Sequence, residues 1–111
     1  MKLQELMEFL TKDIYIHSAE IAFKKVLNFK KAEPDQLINA YYGLATLAKD
    51  KNAYIESKMF FDKALLIAVK SNAEFELIKV YEGLSNLSLI MKDYKTTIMY
   101  MSKKDILQDA L

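Results

Sequence analysis

His17 is the single histidine of the chain, and Glu20 follows it three residues on. A lone imidazole cannot form an H-E-x-x-H zinc pair, and beside one carboxylate it reads as a surface side chain rather than a proton relay. Cysteine is absent, which removes disulfides, thiolate metal sites and cysteine nucleophiles together and fits a reducing, cytoplasmic setting. Two glycines are too few for a phosphate loop or a dinucleotide fingerprint. The nearest thing to a basic patch, Lys24, Lys25, Lys30 and Lys31, is flanked by Glu20 and Glu33 and reads as a solvated helix end. No enzyme is expected from this inventory, and no catalytic, metal or cofactor residues. The chemistry that remains is recognition by amides, hydroxyls and ammonium groups.

Those groups have to be held by helices. One proline and two glycines leave almost none of the turn chemistry that hairpin-joined strands need. Apolar residues at 52% with charged residues at 28% suit a folded chain with a continuous core. Sixteen basic against fifteen acidic side chains give a net charge of +1, so no global field favours nucleic acid or anionic lipid. Glu5, Glu8 and Lys12 break any signal-peptide core, and the apolar run 64–69 is far short of a membrane span. Neither direct nucleic-acid contact nor membrane insertion is expected.

The stretch from Leu37 to Ile67 recurs 40 residues later. Leu37, Ile38, Tyr41, Gly43, Leu44, Leu47, Tyr54, Met59 and Lys63 meet identical residues at Leu77, Ile78, Tyr81, Gly83, Leu84, Leu87, Tyr94, Met99 and Lys103. Nine identities in 31 positions far exceed the roughly two that ordinary residue usage would give. A period of this length implies units that each bury an apolar face against the next. A more diverged copy comes first, with Ile16, Ala19, Phe23, Val26 and Leu27 facing inward.

Periodicity predicts six helices. The first covers about 2–11, with Leu3, Leu6, Met7 and Leu10 on one face; after a break near Lys12 and Asp13 a second runs over about 14–30. Pro34 marks the start of the third. Asn52 is expected to cap the fourth, Ser71 with Glu74 to form a capping box for the fifth, and Asp93 to cap the sixth. The fourth helix, apolar at Met59, Phe60, Leu66 and Ile67 as well as at Phe61 and Ala64, is expected to lie buried between neighbours.

The pattern resembles the tetratricopeptide repeat, with its W-x2-L-G-x2-Y and A-x3-F arrangement. Tyr41, Leu44 and Ala45 stand at the Trp, Leu and Gly positions, and Ser57, Phe61 and Ala64 at those of the second helix; Tyr81, Leu84, Ser85, Thr97 and Met101 follow suit. Ala48 and Ser88 replace the usual Tyr, Lys104 replaces Ala, and the spacing is 40 rather than 34. Repeat length and composition are also similar to the peptide-sensing domains of Gram-positive quorum-sensing regulators.

The resemblance implies an all-α, right-handed α-solenoid of three repeats, about 1–31, 34–70 and 72–109, forming one domain. It implies a protein- or peptide-binding module, the sensing part of a transcriptional regulator, with an extended peptide in a concave groove. The alternative is a scaffolding or oligomerisation piece without a groove ligand. Carried over by position, the groove would present Asn39, Tyr42, Gly43, Thr46, Lys49, Lys79, Glu82, Gly83 and Asn86, with Gln4 and Glu8 from the first copy. Exposed polar side chains on amphipathic helices are equally read as merely solvated. Gly43 and Gly83 each cost about 1 kcal/mol inside a helix, so they serve either tight packing or a ligand's backbone. The basic clamp with which some tetratricopeptide domains grip acidic chaperone C-termini is missing, since only Lys79 matches it.

The last helix carries Ile98, Met99, Tyr100, Ile106 and Leu107 on more than one side. Such a face is expected either to join two copies as a homodimer or to be covered by a further repeat.

Overall fold

The computed structural model describes residues 2–111 and is all-α, with 85% of the described residues helical and no strand among them. Five helices follow one another: α1 (Leu3–Leu27), α2 (Pro34–Asp50), α3 (Tyr54–Lys70), α4 (Glu74–Ile90) and α5 (Tyr94–Ala110). Each packs on its neighbours in the chain, and α2 also touches α4. The fully buried side chains Ile38, Phe61, Val80, Leu84 and Leu87 sit where α2, α3 and α4 meet.

Three of the four connections are the same object. Helices α2, α3, α4 and α5 are each 17 residues long and are separated by three-residue turns. In every turn the second residue, Asn52, Asn72 or Lys92, has a positive φ of 51–63°. The next residue's N–H then reaches back to a carbonyl five positions earlier, as in Ala53 to Ala48 at 2.8 Å, Ala73 to Ala68 at 3.0 Å and Asp93 to Ser88 at 2.9 Å. This is the Schellman closure, which satisfies the last carbonyls of one helix and reverses the chain into the next.

Asparagine tolerates the left-handed region, whereas lysine gains nothing there. Lys92→Gly is therefore expected to raise stability by about 1 kcal/mol, read as a higher urea midpoint with an unchanged slope. A loss of stability would mean that the Lys92 side chain contributes more than its backbone costs.

These turns correct two expected caps. Asn52 and Ser71 are not N-caps: α3 and α4 begin after Ala53 and Ala73, because the residues before them are committed to closing the preceding helix. The Ser71 hydroxyl instead donates to the Ile67 carbonyl at 2.8 Å. Asp93 does cap α5, accepting from the Thr96 N–H at 3.2 Å and the Thr96 hydroxyl at 2.7 Å. Pro34 occupies the first turn of α2, and the Glu33 N–H is held by the Gln36 side chain at 2.9 Å.

The largest departure is at the beginning. The expected helices over 2–11 and 14–30 are one 25-residue helix, so the described residues form five helices rather than six. Lys12 and Asp13 break the phase of the apolar stripe, but neither is a residue that stops a helix, and no positive φ occurs there. Residues 3–15 are all exposed; only from Ile16 onward does α1 lean on α2, through half-buried Ile16, Ala19, Phe23, Val26 and Leu27. Nor is α3 buried all round: Met59 and Leu66 face solvent, while Phe60 and Ile67 are half-buried.

Glu20 ties α1 to the α2–α3 turn, its carboxylate lying 2.7 Å from Lys51 Nζ and 3.0 Å from Lys24 Nζ. The hydrogen bonds from Lys51 and then Lys24 hold its carboxyl at about 2, below the ordinary 4.5. A carboxyl depressed on folding stabilises above its unfolded value and loses that contribution as pH falls toward its folded one. Because the pair is partly solvated, the contribution is at most about 1 kcal/mol. Glu20→Gln is expected to lose that much at neutral pH, with the gap to wild type closing between pH 4.5 and 2 in thermal melts. A gap that does not change with pH would show that the ion pairs contribute nothing.

Candidate functional site

Helices α2 and α4 lie side by side, with residues 40 apart facing each other. Lys79 Nζ donates to Asn39 Oδ1 at 3.2 Å and stands 4.3 Å above the centroid of the Tyr42 ring. Lys79 makes no ion pair among the described residues, since its neighbour Glu82 turns to Lys104 on α5 at 3.9 Å. The ammonium is thus held by an amide oxygen and an aromatic face, two neutral partners that leave its charge uncompensated.

The Tyr42 ring is positioned from beneath by Phe61, edge to face at 5.5 Å between centroids. Burial, then the Glu82 carboxylate, push its phenol above the ordinary tyrosine value, so it stays protonated and neutral beside Lys79 at physiological pH.

Of the other sequence-predicted groove residues, Thr46 turns its hydroxyl back to the Tyr42 carbonyl at 3.0 Å, which occupies its donor. Asn86 is exposed on α4. It lies two turns beyond Lys79, as Thr46 lies two turns beyond Asn39, a distance of about 10 Å along the helices. Lys49 is half-buried, and Gln4 and Glu8 lie on the free half of α1, away from α2 and α4.

The glycines are explained by packing. A Cβ at Gly43 would fall 2.3 Å from Phe23 Cζ, and one at Gly83 2.5 Å from Phe61 Cε1. Each glycine is the seat of the aromatic ring from the helix packed across it, leaving no space there for a ligand's backbone.

Beside Asn39 opens a cleft of about 450 Å³ between α1 and α2. Phe23, Val26, Phe29 and Ala40 give it an apolar lining, with the amides of Gln36 and Asn39 and the stem of Lys25 at its edge. Sequence reasoning missed Phe29 and Gln36 as site residues. Phe29 lies just past the end of α1 and off the apolar stripe of the helix expected over about 14–30, so periodicity carried no signal for it.

The face of α5 is partly open. Ile98, Met99 and Ile106 are exposed, whereas Leu107 is half-buried and half-buried Tyr100 stacks on Tyr81 at 6.1 Å. Along the open side Ser102 and Asp105 interrupt the apolar run. His17 is exposed, and no cluster of three metal-ligating side chains occurs among the described residues. No helix among them is long and apolar enough to cross a membrane. No protein-family model, curated protein or solved structure matches the chain.

Proposed function

We propose that this chain is a peptide-binding module of the tetratricopeptide-like kind, a right-handed helical solenoid whose α2–α4 face receives an extended segment of a protein or peptide. The observation that carries the reading is the junction at Asn39, where an apolar cleft adjoins an ammonium group without a carboxylate partner. An extended peptide fits both requirements, with an apolar side chain in the Phe23–Val26–Phe29 cleft and an acidic side chain or terminal carboxylate on Lys79. Its main chain then runs toward Asn86, and three extended residues span the roughly 10 Å between the two ends. The free N–H groups of Asn39 and Asn86 donate to peptide carbonyls, the mode by which a groove holds a backbone of varied sequence. In this reading the chain senses a peptide on behalf of a regulatory partner domain.

The experiment is a screen of short peptides carrying an apolar residue next to a carboxylate, against wild type and the Asn39→Ala/Asn86→Ala variant. Both asparagines are exposed, so the variant is expected to keep its melting curve. It is expected to bind at least about tenfold more weakly, the loss of two hydrogen bonds. Equal binding by both proteins, or none by either, favours a scaffold without a groove ligand.

A further inference from the structure

Helix α1 has a second apolar face that the fold leaves uncovered. Leu3, Met7, Leu10, Ile14, His17 and Ile21 follow one another at intervals of four and three, the a/d spacing of a coiled coil sustained over 19 residues. The five apolar members are between 44% and 73% exposed, and His17 is exposed as well. At 100° per residue this seam lies about 160° around the helix from the side that leans on α2. The rest of the protein therefore stands behind α1 and does not obstruct the seam. The seam is about 27 Å long. Four of its six residues belong to the stretch 3–15, which is exposed throughout, and an unpacked helical end draws only weak support from propensity alone.

We propose that a second copy of this chain covers the seam, so that two α1 helices pair in parallel as a short two-stranded coiled coil. The residue types select this occupant. With Leu3 and Leu10 at d and Ile14 and Ile21 at a, the seam follows the pattern of β-branched a and leucine d residues that favours two parallel strands.

The flanking charges agree. In the parallel register the g and e positions set Leu6 against Thr11, Asp13 against Ser18 and Glu20 against Lys25, with no like charges opposed, although Glu20 is already paired with Lys24 and Lys51 of its own chain and adds no new ion pair. Reversing one strand would set Asp13 against its own copy. A single polar residue in the seam, His17, penalises slipped registers. Three heptads alone are marginal, but α2 already holds the second half of α1 helical, which lowers the ordering cost of pairing. The dimer and the peptide reading are tested apart, because none of the six a and d residues lines the α1–α2 cleft; of the flanking residues only Lys25 borders both.

The test uses the full chain at high-micromolar concentration in sedimentation equilibrium. The wild type is expected to be a dimer, and Leu10→Glu and Ile14→Glu are each expected to weaken it at least about 100-fold by placing two carboxylates in an apolar seam. Circular dichroism should show both variants still helical. Since the chain has no cysteine, Leu10→Cys gives an independent reading: facing d residues in a parallel pair lie within disulfide reach, and mild oxidation is expected to cross-link the dimer. A monomeric wild type overturns the proposal. So does a dimer that survives Leu10→Glu but dissociates with Ile98→Glu, which would move the interface to α5. Cross-linking only when Leu10→Cys and Ile14→Cys are mixed would overturn the parallel register.

Discussion

Phe61→Ala is expected to destabilise the protein by about 3 to 5 kcal/mol, the range for deleting a buried aromatic ring. Phe61 is 1% exposed and belongs to the cluster formed by α2, α3 and α4. Its ring also carries Tyr42, and through it Lys79, so the loss reaches the candidate site as well as the core. A domain of this size has only some 5 to 15 kcal/mol in hand, so the variant should be largely unfolded at modest temperature. Urea melts read the effect directly, and a loss below about 1 kcal/mol would mean that Phe61 does not occupy this seat.

Gly83→Ala is expected to cost about 1 to 3 kcal/mol, although alanine is the better helix former by about 1 kcal/mol. The new Cβ would meet Phe61 at 2.5 and 2.9 Å and Tyr42 at 3.2 Å, below the separations that atoms in a packed interior accept. Phe61 is fixed on all sides and cannot withdraw without disturbing the core. In a Phe61→Leu background the ring atoms that clash are gone, and Gly83→Ala should become neutral or stabilising. That reversal of sign is the diagnostic, because a glycine kept for backbone reasons would show no coupling to Phe61. At Gly83 φ is negative, so no conformational requirement competes with this account.

The sequence made the all-helical class and the repeated hairpin legible, and the reason is visible in particular pairs. Tyr41 stacks on Phe60 at 6.3 Å and Tyr81 on Tyr100 at 6.1 Å, with interplanar angles of 30° and 29°. The 40-residue spacing of these residues thus recorded a repeated contact.

The helix count was less legible. A phase slip at Lys12 and Asp13 looks like an end, yet three of the four helix connections are closed by a residue in the left-handed region. Asn52, Asn72 and Lys92 are those residues, and Lys12 is not in that region. The same closure displaced the expected caps by fixing the residue before each new helix. The α1–α2 cleft depends on how far α1 runs and where Phe29 emerges, which periodicity within a helix cannot specify.

The account of function rests on the α2–α4 face, and amide chemical-shift mapping with the tightest peptide from the screen tests it most directly. The largest changes are expected at Asn39, Tyr42, Lys79 and Asn86, extending to Val26 and Gln36 around the cleft, and in the Asn39→Ala/Asn86→Ala variant they should need at least about tenfold more peptide. Changes confined to α5 or to the free half of α1, with α2 and α4 silent, would contradict it.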